Sequence, residues 1–288
     1  MGLGERGFEH SQPLDHNSYP ATMIVPRRPR PHQERTPRKR RWRLIVGIVL
    51  LSPVALYAVA HLTVSRNYTV PTGSMEPTVL VGDRVSFMRT TGGMPERGEI
   101  ITFDFPGTRD QTQPLTTETH MGRCIAVAGD TVQIVAKNVT VNGRAEQSAA
   151  TTVHADATVS RATNELFPPR SGFTRDDWGP MRVPKRGDVI PLNDSTYDYY
   201  RTFIEREGHT IHWNDDSTVT LDGRNARSYT VEKDYLFSMG DNRDRSFDSR
   251  FWGFVPVDAI VCTGGGLVIW SKAPDSGFRW NRTFTTVR

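Results

Sequence analysis

Cysteine and lysine are both scarce in this chain of 288 residues. The cysteines are Cys124 and Cys262, and the lysines are Lys39, Lys137, Lys185, Lys233 and Lys272. Two cysteines can close only one loop, so the fold must rest on burial and hydrogen bonding rather than on a disulfide framework. Two isolated buried thiols are the simplest expectation for them. No group of His, Cys and Asp has the spacing of a zinc site, so no metal or other cofactor is expected. Disorder as a whole is excluded, because 36% apolar and 9% aromatic residues suffice for a sizeable core.

The net charge of +4 is unevenly spread. Residues 1–43 hold ten basic and four acidic residues, which leaves the remainder slightly negative. A basic arm can bind nucleic acid, but the adjoining segment indicates another partner. Residues 44–64, L-I-V-G-I-V-L-L-S-P-V-A-L-Y-A-V-A-H-L-T-V, contain no Asp, Glu, Lys or Arg. A helix of that length, at ~1.5 Å per residue, crosses a ~30 Å hydrocarbon core. The flank R-K-R-R-W-R orients it with the N-terminus in the cytoplasm and residues 65–288 outside. The arm, with prolines among its arginines, then reads as a disordered cytoplasmic tail held near anionic lipid. Two alternatives stay open: a buried soluble element around Pro53, and a cleaved signal ending near Ala58-Val59-Ala60. A lipid bilayer is the expected partner of this part, and nucleic acid is not.

Beyond residue 65 the pattern predicts a mainly β, antiparallel domain. Short β-rich runs bounded by Gly, Pro, Asn and Asp predict strands at 84–88, 99–105, 123–127, 131–135, 139–141, 219–221, 228–231, 235–239 and 259–270. V-T-V-N-G-R at 139–144 and V-T-L-D-G-R at 219–224 each read as a strand entering a tight turn. Tyr199, Tyr200, Phe203 and Ile204 have helical spacing, which predicts one helix over 196–208. The expected organisation is an arm (1–43), a transmembrane helix (44–64), a β core (65–135 with 234–275), an inserted β-rich subdomain (136–233) and a C-terminal tail (276–288).

Two zones carry chemistry. In P-T-G-S-M-E-P-T, residues 71–78, Ser74 is pinned between a glycine and a Met-x-Pro turn, as an exposed nucleophile is usually presented. In G-D-N-R-D-R-S-F-D-S-R-F-W-G, residues 240–253, a dense polar loop runs straight into aromatic residues. That predicts a satisfied polar network at a site wall rather than a solvated charge run.

These motifs, with G-D-R-V at 82–85 and R-C-I-A-V-A-G-D-T-V at 123–132, stand in order behind one apolar span. Together they resemble the successive boxes of bacterial type I signal peptidase over roughly 45–135 and 185–272. The resemblance implies a membrane-anchored, mostly β serine endopeptidase of the Ser/Lys type. It would cut the signal peptides of exported preproteins after small residues, on the outer face of the plasma membrane. Ser74 then matches the nucleophile, and Met75 and Pro77 match the residues that shape its turn. Thr72 matches a hydroxyl that joins the Ser74 N–H in the oxyanion hole. Arg123, Asp241, Ser246, Asp248 and Arg250 match the supporting network, in which the serine helps orient the lysine and Asp pairs with Arg.

One position departs from the pattern. The family's general base, a lysine, should stand immediately before Arg123, and that position is Gly122. Arg123 cannot replace it, since a guanidinium does not deprotonate. Lys137 and Lys272 are more distant candidates. His120 is the substitute of suitable pKa, two residues away and on the same face of a strand, about 6.6 Å off. The related endoplasmic-reticulum signal peptidases place a histidine where the bacterial enzymes have lysine. A second reading arises from Gly122: a catalytically weak or inactive paralogue that binds extended peptides at the membrane. A third, a self-cleaving DNA-damage repressor, lacks the N-terminal DNA-binding helix pair it would need. Gly264-Gly265-Gly266 stands where the family runs a regular strand, and three glycines are expected to loosen it.

Overall fold

The structure is a computed structural model and describes residues 42–43, 45–53, 56, 65–89, 93–111, 115–146 and 166–288. The basic arm, apart from Trp42 and Arg43, lies outside the described residues, as does part of the 44–64 span. Residues 45–53 are helical. No helix among the described residues is long and apolar enough to cross a membrane. Residues 1–52 and 53–288 are separate compact units.

In the larger unit the chain begins with β1 (Ser65–Thr69), β2 (Asp83–Arg89), β3 (Ile100–Phe105) and β4 (Leu115–Val127). A second region comes next, with β5 (Thr131–Val135), β6 (Asn138–Val141), β7 (Arg144–Ala145), β8 (Trp178–Arg182) and β9 (Val189–Pro191). After a helix at Asp194–Arg206 it continues through β10 (Ile211–Trp213), β11 (Val219–Leu221), β12 (Arg224–Asn225) and β13 (Ser228–Thr230). The chain then returns with β14 (Tyr235–Met239), β15 (Val255–Pro256), β16 (Ile260–Ala273), β17 (Gly277–Phe278) and β18 (Thr286–Val287).

The main sheet has the order β1-β2-β16-β3-β4-β14-β15, with every pairing antiparallel and β17 and β18 attached to β16. Side-chain alternation divides its interior. Ile100 joins a cluster with Met75, Val85 and Phe87, while Ile101 and Phe103, beside it on β3, join Trp252, Phe251 and Leu236. Each such fully buried apolar side chain contributes about 1.5–3 kcal/mol. Apolar side chains therefore pack against both faces of β3.

Both tight turns form as their residues require. Asn142-Gly143 and Asp222-Gly223 all have positive φ (55°, 73°, 48° and 74°), the conformation that Asn, Asp and Gly tolerate best in a two-residue hairpin. The helix is capped at its start by Asn193, whose side chain accepts from the Ser195 N–H, with Thr196 returning a bond to the Asn193 backbone.

The structure differs from expectation in two places. The second region begins at Thr131, since β5 pairs with β6 and β8. It shares one apolar cluster, from Ile125 and Trp178 to Phe237 and Phe254, with the main sheet. Residues 276–288 are not a loose tail, because β17 and β18 both pair with β16. The glycine triplet loosens β16 without ending it: the strand runs from Ile260 to Ala273, and its register against β2 shifts between Cys262 and Gly266. Gly266 has a packing reason, since a Cβ there would lie 2.7 Å from the Phe87 ring.

Candidate active site

Ser74 sits in the middle of a three-residue 3-10 turn, Gly73–Met75, between β1 and β2. Met75 anchors the turn by full burial in the cluster with Val79 and Phe87. The carbonyl of Met75 accepts from the Val79 N–H at 3.0 Å, and the Glu76-Pro77 peptide is cis. The first N–H groups of a helical turn have no intrahelical acceptor, and Ser74 is the second residue of this one. The Thr72 and Ser74 hydroxyls lie 3.3 Å apart.

The serine opens into a cleft of about 780 Å³ whose walls include residues of β1, β3, β4 and β14. One side is Tyr68 to Met75, a second is Glu118 to Gly122 of β4, and a third is Ser238 to Gly240 with Asp244 to Asp248. Phe103, Phe247, Phe251 and Trp252 line an aromatic side.

Two buried ion pairs hold the polar box. Arg123 reaches Asp241 with two bonds, Nε to Oδ1 at 2.7 Å and Nη2 to Oδ2 at 2.6 Å, and also donates to the Gly98 carbonyl at 2.6 Å. Thr78 Oγ1, from the nucleophile segment itself, donates to Asp241 Oδ2 at 2.5 Å. Arg250 grips Asp248 the same way, with both bonds at 2.8 Å, and Asp248 also takes the Arg250 N–H as a helix cap. Two-pronged charge-assisted bonds of this kind fix orientation as well as distance.

The box and the nucleophile turn are joined through the backbone, where the Asn242 N–H donates to the Ser74 carbonyl at 3.0 Å. Gly240 makes this approach possible. A Cβ at Gly240 would lie 2.4 Å from both the Ser74 carbonyl oxygen and Ser246 Oγ. Sequence reasoning passed over Gly240 and Thr78, although both stand inside the motifs it quoted; their contacts cross between boxes far apart in the chain.

The expected base positions are now in view. His120 pairs with Phe103 across β3 and β4, and Gly122 pairs with Ile101, so both stand on β4 and line the cleft with Ser74. The His120 ring stacks flat on Phe105, 4.1 Å between centroids, with Nε2 3.8 Å from the exposed carboxylate of Glu118. Burial against these rings lowers its pKa below the ordinary histidine value, with Glu118 opposing. Among the described residues the hydrogen-bond partner of Ser74 Oγ is Thr72, and no lysine lines the cleft. Lys137 is turned to Asp244 and Asp176, Lys233 to Asp258, and Lys272 lies over the Phe278 ring.

Cys124 and Cys262 are both buried and free. Burial pushes the Cys124 thiol up to about 12, well outside the range of a reactive thiolate. No group of three or more potential metal ligands occurs among the described residues.

The framework is mainly antiparallel, with a serine-bearing turn over a cleft, and the comparisons give its class: a peptidase, a hydrolase of peptide bonds. The family described as "Signal peptidase, peptidase S26" matches residues 41–270, and the chain belongs to it. Signal peptidase I of Aquifex aeolicus is 28% identical over 211 residues, covering 68% of this chain and 73% of that protein. Signal peptidase I of Haemophilus influenzae is 26% identical over 265 residues, covering 77% and 69%. A solved signal peptidase I from Enterococcus faecalis covers 59% of this chain and 96% of its own, at 20% identity and a TM-score of 0.26.

Proposed function

We propose that the chain is a membrane-bound serine endopeptidase that removes signal peptides from exported preproteins, with Ser74 as nucleophile. The observation that carries this reading is Ser74 in a helical turn, its hydroxyl beside that of Thr72, opening into a cleft of about 780 Å³. Ser74 Oγ bonds to the scissile carbonyl carbon while its proton passes to a base, and that proton then leaves with the departing amine. Water hydrolyses the acyl-enzyme by the same route in reverse. The Ser74 N–H and the Thr72 hydroxyl receive the charge that develops on the carbonyl oxygen, and each donor contributes on the order of 3 kcal/mol to lowering the barrier. Arg123, Asp241, Ser246, Asp248 and Arg250 keep the walls in place and touch no reacting atom.

His120 is the base in this reading. It lines the same cleft, and its lowered pKa leaves the imidazole neutral and able to accept a proton at neutral pH. Activity is then lost as the pH falls through that lowered value.

Membrane attachment is supported by apolar side chains that the structure leaves exposed on the helical segment, Ile48, Leu50 and Leu51. The C-terminal aromatics Phe278, Trp280 and Phe284 are exposed by 51%, 75% and 73%. Tryptophan partitions to membrane–water interfaces, and the two phenylalanines add exposed apolar surface.

A second reading, a tethered peptide-binding module without turnover, is favoured by the absence of a lysine from the cleft lining and of a nitrogen base bonded to Ser74 among the described residues. The test is cleavage of a fluorogenic signal-sequence peptide by detergent-solubilised wild type, Ser74→Ala and His120→Ala across pH. Wild-type turnover that falls at least about 100-fold in both variants supports the hydrolase with His120 as base. Equal turnover by wild type and Ser74→Ala overturns it, and tight peptide binding with no turnover in either assigns the binding role.

A further inference from the structure

On the wall of the cleft β4 and β14 approach more closely at one point than two side chains permit. A Cβ at Gly122 would lie 2.2 Å from Ser238 Oγ, against 3.4 Å from the Met239 carbonyl oxygen and 3.6 Å from Ser238 Cβ. Only the first contact is too short, so Ser238 Oγ must move if a side chain is to stand at 122; the other two are ordinary van der Waals distances. The space a side chain would need at 122 is therefore taken by one hydroxyl group.

That hydroxyl is aimed there by the backbone. β14 pairs with β4 through a register shift between Phe237 and Ser238, so Phe237 faces Ala126 while Ser238 faces Cys124. Irregularities of this kind re-aim side chains beside active sites. Ser238 is 1% exposed, and its N–H is held by the Oγ of the fully buried Ser249 at 3.0 Å. The backbone of the strand is thus tied from behind at Ser238. Gly122 and Ser238 both line the cleft that holds Ser74.

We infer that Gly122 and Ser238 form a matched pair in which the Ser238 hydroxyl closes the wall of the cleft, making Ser238 a positioning residue that bars a base at 122 from reaching Ser74. Replacing the glycine alone does not rebuild a serine–lysine site in this chain, because the first atom of the new side chain collides with Ser238. Removing the hydroxyl leaves only contacts that a Cβ can accept. The pairing is independent of how the enzyme works, whereas the barring of a base rests on Ser74 being the nucleophile.

The packing arm of the test compares melting temperatures of the full chain in detergent as wild type, Gly122→Ala, Ser238→Ala and the double variant. Gly122→Ala is expected to lower Tm by about 2–4 °C or more. The double variant recovers most of that loss, and additive shifts overturn the pairing. The activity arm compares peptide turnover by Gly122→Lys, Gly122→Lys/Ser238→Ala and the latter with Ser74→Ala. Turnover by the double variant should exceed that of Gly122→Lys by at least about 100-fold, the scale of a positioned general base, and rise with pH through the pKa of the introduced lysine. Equal turnover by Gly122→Lys and the double variant, at whatever level, overturns the barrier. Turnover that survives Ser74→Ala in the double background overturns the nucleophile assignment and leaves the packing result standing.

Discussion

Asp241→Ala tests the buried frame behind the nucleophile. Asp241 is fully buried, and its two oxygens take Arg123 Nε, Arg123 Nη2 and the Thr78 hydroxyl. Truncation leaves a guanidinium that is 3% exposed with its main countercharge gone, and leaves Thr78 without its acceptor. The Gly98 carbonyl, still within reach of Arg123, offers a partial dipole and no charge. Breaking a buried pair from one side costs about 3–5 kcal/mol. In a folded unit of this size 1 kcal/mol is about 2–4 °C, so Tm should fall by roughly 6–20 °C. Replacing both partners by apolar residues, Arg123→Met with Asp241→Leu, should recover most of the loss, since it removes the stranded charge as well. Thermal denaturation followed by circular dichroism on the three proteins checks this. A fall of less than about 1 kcal/mol for Asp241→Ala, or a double variant no better than the single, would refute the claim that desolvated charge sets the cost. The single variant should also lose peptidase turnover, because Asn242, next to Asp241, holds the Ser74 carbonyl.

Gly240→Ala should be more damaging to activity than its one added carbon suggests. The new Cβ would meet the Ser74 carbonyl and Ser246 Oγ at 2.4 Å, and a shift of about 1 Å at the nucleophile lowers turnover on the order of 100-fold; unchanged kcat/KM would count against the close approach. His209 should make stability depend on pH. Its ring donates to the Asp222 carboxylate at 2.8 Å, with Glu232 at 3.1 Å on the other nitrogen, which raises its pKa above the ordinary histidine value. The stabilisation is therefore fully present below about pH 6.5 and is lost as the pH rises through the raised value. Tm measured across that window should decline in wild type and stay flat in His209→Gln, and parallel profiles would remove His209 as the cause.

Much of this molecule is written in short stretches of chain. Runs such as Ile100–Phe105 and Tyr235–Met239 form strands where their residues predict them. The Asn-Gly and Asp-Gly turns make both hairpins, and Asn193 starts the helix that Tyr199, Phe203 and Ile204 foreshadow. Each depends on neighbours within a few residues, where propensity and periodicity act. The motif order was equally legible, and with it the absence of a lysine before Arg123.

What the linear order could not decide is which side chains meet across the boxes. Arg123 and Asp241 are 118 residues apart, and Thr78 and Asp241 are 163 apart. The pairing of β17 and β18 with β16, which draws the C-terminus into the sheet, also depends on distant chain. Such contacts depend on sheet register, and a slip of one residue would turn each side chain to the opposite face. The same holds for the base position. The sequence by itself shows a glycine at 122, whereas only the bulge in β4, which leaves Ile125 unpaired between the partners of Phe237 and Ser238, sets the Ser238 hydroxyl against the space that glycine leaves, because that geometry comes from the fit of two distant strands.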